Sequence, residues 1–330
     1  MHSSLIAWIL RAIPFGTIIM YGALGEIVTE KSGNLNLGVP GIMYLGGFAG
    51  FASAWAYENT AANPSGAVSV VIALTCAILA SMAGGLIYAF LTISLRANQN
   101  VTGLALTTFG MGVANFFGVF ILNGASYSAA PIANKAFSAK IPVLSTLGDF
   151  GQVVFSYGFL VYAAIALAIA LHWFLTRTRA GLNLRAVGEN PATADAAGIN
   201  VTLYKYLATC IGAGICGIGG LYYVLDYNQG IWATTGQIEA LGWLAVALVI
   251  FTTWKPLNAI WGAYLFGMLY WLYQFLPTLL GITMASHITD LVQMLPYVVT
   301  IVVLIVVSMR KKKENQPPAH LGLAYFREER

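Results

Sequence analysis

The sequence predicts an all-α fold, a polytopic transmembrane bundle of about 8–10 helices with one broken segment and one short helix in a polar loop. Three observations carry this. Of 330 residues, 58% are hydrophobic and only 8% charged, against roughly 25% charged in a soluble domain. Apolar runs of about 20 residues, long enough to cross a bilayer, recur along the chain. Lys and Arg gather in alternate breaks between the runs.

The chain opens Met1-His2-Ser3-Ser4 and turns apolar, with Arg11 inside the run and no small-residue cleavage site, so the first segment reads as a retained helix. Candidate spans are 5–25, 35–57, 67–95, 101–122, 153–175, 205–225, 238–253, 257–280 and 288–309. Arg96–Asn100 is a short break, 123–152 a longer loop, 176–204 a polar loop and Trp254-Lys255-Pro256 a tight break. Residues 1–309 form one transmembrane domain, and 310–330, opening Arg310-Lys311-Lys312-Lys313, a basic tail that can meet anionic membrane lipid. Small residues four apart, Gly46 and Gly50 and then Gly212, Cys216 and Gly220, suit close helix crossings.

Placing the tail in the cytoplasm and counting spans backwards puts the breaks at 96–100, 176–204 and 254–256 on the same side. With the tail and Lys205 they hold twelve of the sixteen Lys and Arg. A multi-pass protein of the cytoplasmic membrane, with its C-terminus inside, is expected.

Chemistry is scarce. No GxxxxGK[ST] phosphate loop is present. Cys76, Cys210 and Cys216 sit in apolar runs, and His2, His172, His287 and His320 are scattered. Neither a metal site nor a catalytic constellation is expected. Any work therefore draws on an ion gradient or a partner.

Two polar interruptions stand out. Gly25-Glu26 through Gly41 places two carboxylates, Lys31, Asn34, Asn36, Gly38 and Pro40 in apolar surroundings. It reads either as a plain loop or as a broken membrane segment along a solute path, because freed backbone groups at that depth need protein or water beside them. The second is Gly188-Glu189-Asn190-Pro191 to Gly198-Ile199-Asn200. Asn190 suits an N-cap, Pro191 a first helical position and Gly198 a left-handed terminator. The short Ala-rich helix between them presents a smooth face that fits a groove on a partner.

Together these segments resemble the ribose/nucleoside-type permeases of bacterial ABC importers, nearest to the nucleoside branch. The resemblance rests on Gly25-Glu26 to Gly41, on Ala97-Asn98-Gln99-Asn100-Val101-Thr102-Gly103, on Gly188 to Ile199, on Trp243–Leu248 with Trp254-Lys255-Pro256, and on Leu321-Gly322 to Arg330. It implies a substrate path touching Glu26, Asn34, Asn36, Gly38, Gly41 and Thr102. It also implies an ATPase-coupling motif at Gly188, Glu189, Asn190, Pro191, Ala194, Ala197, Gly198 and Ile199. The implied partners are an ABC ATPase subunit, a second, related permease chain forming a heterodimer, and an extracytoplasmic substrate-binding lipoprotein. No nucleic-acid partner is expected. This chain would bind no cofactor; ATP and Mg²⁺ belong to the ATPase.

The alternatives are a ribose-like sugar permease and, from another class, an ion-gradient-driven transporter. The latter needs an ionisable group deep in a span, and the candidates Asp226, Glu239 and Asp290 stand near span ends.

Overall fold

The computed structural model describes residues 2–121, 128–140, 148–232, 236–281, 286–310 and 316–326. Lys311–Lys313 of the basic tail and Arg327–Arg330 of the terminal motif lie outside them. The elements run α1 (His2–Glu30), α2 (Val39–Thr60), α3 (Gly66–Ala89) closing in a π turn (Phe90–Ser94), and α4 (Gln99–Ile121). Then come β1 (Ser128–Ala129), α5 (Pro131–Phe137), α6 (Gly148–Phe155), α7 (Phe159–Arg177), α8 (Arg179–Glu189) and α9 (Pro191–Ala196). α10 (Val201–Tyr222) closes in a second π turn (Tyr223–Tyr227) and is followed by β2 (Ile231–Trp232), α11 (Gln237–Phe251), α12 (Pro256–Leu280), α13 (Ser286–Gln293) and α14 (Leu295–Arg310). The predicted all-α bundle is observed, with one two-residue antiparallel pair, β1–β2.

Among the described residues, five helical stretches are long and apolar enough to cross a membrane: Ser4–Glu30, Gly66–Ser94, Gln99–Phe120, Phe159–Arg177 and Val201–Tyr227. They differ in burial. About 78% of the α10 window is buried but only 28% of the α3 window, so α10 is the central post and α3 faces outward. Val71, Leu79 and Phe90 on the α3 stretch, and Phe109, Phe116 and Phe120 on α4, are exposed. In water such a surface would aggregate; in lipid it is the normal outer face.

The expected elements shift at four places. α1 stays helical through Glu30, so the break is only 31–38, shorter than the expected 25–41. The polar loop 176–204 is two helices, because Thr178 caps α8 by accepting from the Gly181 N–H at 3.0 Å. The span 153–175 is split between α6 and α7. The span 288–309 is split between α13 and α14, where Pro296 falls in the first turn of α14.

The small residues do set the crossings. α10 lies on α1 and α2 with Gly212 against Gly25, Gly217 against Gly46 and Gly220 against Gly47. A Cβ at Gly220 would overlap the Met43 carbonyl, whereas Gly112 on α4 has open space around it. Gly220→Ala therefore lowers the thermal unfolding midpoint of the full chain in detergent, at a cost of about 1–3 kcal/mol. Gly112→Ala leaves it unchanged or raises it by up to about 1 kcal/mol. Equal effects at the two glycines would sink the packing assignment.

Candidate functional site

The break at 31–38 is a non-helical strip inside the bundle, and four of its backbone groups, at Leu35, Asn36 and Leu37, are met by side chains from elsewhere. It starts with a tight turn in which Ser32 N–H donates to the Thr29 carbonyl at 3.0 Å and Gly33 N–H to the Glu30 carbonyl at 2.9 Å. Gly33 sits at φ +88, a left-handed conformation that glycine adopts without strain. Leu35 N–H donates to Gln99 Oε1 at 2.7 Å, and the Leu35 carbonyl accepts from the Tyr88 hydroxyl. Asn36 N–H donates to Glu26 Oε1 at 2.9 Å. The Leu37 carbonyl accepts from the Thr107 hydroxyl at 2.9 Å, and Gly38 N–H donates to Asn36 Oδ1 at 2.9 Å. Asn34 Nδ2 reaches Thr209 Oγ1 on α10 at 3.2 Å. Glu30 accepts from the Trp254 indole in the α11–α12 link.

Four of the expected path residues, Glu26, Asn34, Asn36 and Gly38, are thus gathered around the break and buried. Three polar atoms in it, Glu26 Oε2, Asn34 Oδ1 and Asn36 Nδ2, have no partner among the described residues. Gly41 lies under the backbone of Leu106 and Thr107, where α2 crosses α4. Thr102 is half-buried, returns its hydroxyl to the Asn98 carbonyl at 2.8 Å, and borders an apolar cleft of about 200 Å³ with Tyr88, Leu106 and Phe109. Gln99, Tyr88, Thr107 and Trp254 were missed in the sequence. Gln99 and Trp254 stand inside segments that were singled out, but their pairing with residues 30–35 is long-range.

The expected coupling motif forms a platform beneath the break. Gly188 packs on the Lys31–Gly33 backbone so closely that a side chain there would overlap it. Asn190 caps α9, accepting from Thr193 N–H at 3.0 Å, and Gly198 ends it at φ +84. Pro191 and Ala194 face inward, and Ala194 packs with Val187 and Val201 in a separate small core that Ile199, Tyr204 and Tyr325 border. Glu189, Ala197 and Gly198 face outward, beside Ala192, Thr193 and Ala196. Glu189 apart, the outward face is therefore flat and made of small side chains.

Residues 316–326 strap this platform to the break. His320 N–H donates to the Gly188 carbonyl at 3.0 Å and Gly322 N–H to the Gly33 carbonyl at 3.2 Å. The Leu323 carbonyl accepts from Gln99 Nε2 at 3.3 Å, and the Tyr325 hydroxyl donates to Asp195 Oδ2 at 2.9 Å. Charge concentrates here too. Burial, with Arg185 and Lys255 adding to it against Glu189 and Glu30, lowers Lys31 to about 8. Burial and nearby Lys205 hold His320 below the ordinary imidazole value.

The remaining carboxylates are placed otherwise. Asp226 is half-buried in the second π turn, Glu239 lies in the first turn of α11, and Asp290 is exposed on α13. No group of three or more His, Cys, Asp or Glu that could hold a metal occurs among the described residues.

A lipid-facing helical bundle, a side-chain-lined break and an exposed flat helix at one end together define a multi-pass membrane permease. The comparisons agree. A family model described as the permease component of the branched-chain amino acid transport system matches residues 8–306, and the chain belongs to that family. It is 35% identical over 258 residues to the "Putative glucose ABC transporter permease protein TsgC13" of Haloferax volcanii, covering 77% of this chain and 72% of that one. It is 30% identical over 292 residues to the nucleoside ABC transporter permease protein NupC of Lactococcus lactis, covering 88% of each. It is 33% identical over 253 residues to the guanosine ABC transporter permease protein NupQ of Bacillus subtilis, covering 74% of this chain and 75% of that one.

Gln99 serves the break and the strap at once, so Gln99→Leu leaves the Leu35 N–H and the Leu323 carbonyl unpaired. We expect a loss of about 1–3 kcal/mol and faster amide exchange at Leu35. Unchanged exchange there would remove Gln99 from the cradle.

Proposed function

We propose that the chain is the path-forming permease subunit of an ATP-driven importer of nucleosides, set in the cytoplasmic membrane with its α8–α9 end and C-terminus in the cytoplasm. The observation that carries this is the outward face of α9, a flat small-residue surface on a platform joined directly to the break between α1 and α2. An ATPase subunit docks on that face; ATP and Mg²⁺ are bound there and not by this chain. Its movements pass through α8 and Gly188 to the break, which shifts α1 and α2. A second, related permease completes the path, and an extracytoplasmic substrate-binding lipoprotein delivers solute at the end carrying α5 and the β1–β2 pair. Glu26, Asn34, Asn36 and Gly38 set the shape of the path by holding the break, while Gly41 and Thr102 set the α2–α4 crossing beside it. The Lys/Arg distribution supports the orientation.

NupC and NupQ support nucleosides as cargo. TsgC13 favours a second reading, a simple-sugar permease. Proteoliposomes holding this chain with its ATPase, second permease and receptor separate the two. ATP-dependent, saturable uptake of uridine or guanosine, unaffected by a protonophore, is expected; uptake of glucose but not nucleosides would overturn the cargo. In the same system Ala197→Glu abolishes uptake while leaving the unfolding midpoint in place, because its site is exposed. Ala194→Glu buries a charge in the small core beneath α9 and lowers the midpoint as well. Full uptake by the Ala197 variant would dismiss α9 as the docking face.

A further inference from the structure

A cavity of about 620 Å³ opens at the α8–α9 end, between the π turn that ends the α3 stretch, the start of α4, the α9–α10 turn and the C-terminal strap. Three membrane-length stretches begin or end around it, at Ser94, Gln99 and Val201, so it lies at the level of the bilayer surface. Lys205 lines it while only 3% exposed. Among the described residues no carboxylate or hydrogen-bond acceptor pairs with its ammonium. A buried cation without a counter-charge is expensive, and nothing in the α1–α2 cradle uses this one.

The rest of the wall matches an anion. Arg96 stands at the rim, its guanidinium stacked 4.5 Å over the Phe326 ring. The 22-residue helix α10 begins in the wall at Val201 and Thr202, and a helix N-terminus favours negative charge. The lining carboxylate, Asp195, accepts from the Tyr325 hydroxyl. We infer that this cavity binds a phosphate-class oxyanion between Lys205 and Arg96, carried either by free phosphate or by the headgroup of an anionic lipid. The anion neutralises the buried ammonium and bridges the α3–α4 link to the first turns of α10.

Protection of Lys205 from an amine-reactive reagent, read by mass spectrometry on the full chain, tests this with Lys140 as the exposed control. One arm uses phosphatidylcholine nanodiscs with added inorganic phosphate. The other uses phosphatidylglycerol nanodiscs without it. We expect modification of Lys205 to slow about tenfold at phosphate ten times its dissociation constant, or comparably in the phosphatidylglycerol arm, while Lys140 is unaffected. Protection in the first arm identifies a soluble oxyanion and in the second a lipid headgroup. Arg96→Gln weakens the effect about tenfold, the loss of one charge-assisted hydrogen bond. Equal reactivity in all conditions overturns the site. So does protection that ignores added anion and vanishes when the chain is cut after Phe326, since the chain's own terminal carboxylates would then be the occupant.

Discussion

A strip of non-helical backbone packed inside a helical bundle must have its N–H and C=O groups met by protein or water. Residues 31–38 impose that constraint here, and much of the molecule follows from it. The carboxamide of Gln99, the hydroxyls of Tyr88, Thr107 and Thr209 and the carboxylate of Glu26 converge on these eight residues from α1, α3, α4 and α10. Each bond is worth about 1 kcal/mol net, but leaving its buried partner unmade costs more. The helices around the break are thus fixed in register by polar chemistry, while glycine contacts fix their spacing.

The same strip ties the membrane region to its polar end. Gly188 rests on Lys31–Gly33 with no side chain between, and the strap bonds both Gly33 and Gly188. A rigid-body shift of α8 and α9 therefore presses on the break, because close-packed contacts transmit displacement. Ala194 holds α9 to α8 through its small core, so a displacement of α9 would be delivered to the platform rather than absorbed by one loose helix. An isolated helix of six residues would not keep its shape.

Local signals were legible in the sequence and long-range ones were not. Asn190, Pro191 and Gly198 announced α9 with cap, start and stop, and each performs that role. Composition and Lys/Arg placement announced the bundle. The face of α9 could not be oriented, since Ala194 and Ala197 are chemically alike and only the neighbours Val187 and Tyr325 make one of them inner. α8 was hidden because Arg179, Asn183 and Arg185 made 179–189 look like loop, and the Thr178 cap that starts it is an undistinguished residue in sequence. The polar residues of 25–41 signalled something unusual, but that Glu26 and Asn36 hold the break's own backbone, joined by Gln99, Tyr88 and Thr107 from other helices, emerges only in the fold.

The two ends of the bundle are built on different physics. At the end away from α9, Glu58 accepts the Ile132 and Ala133 N–H groups at 3.1 and 2.7 Å, capping α5, while Trp232 is wedged among Tyr44, Phe48 and Phe51. Aromatic packing around a buried indole makes that end a stiff plug. At the α9 end, Lys31, Arg185 and Lys255 crowd one another, and burial with Arg185 lowers Lys31 to about 8. Near neutral pH Lys31 is still charged in a setting that disfavours the charge, so this penalty is present below about 8 and fades as pH rises toward the unfolded-chain value. An element that carries such a penalty sits closer to its alternatives than one that does not. The α9 end is thus held by polar contacts under electrostatic load, and the break stands where that load meets the membrane-spanning helices.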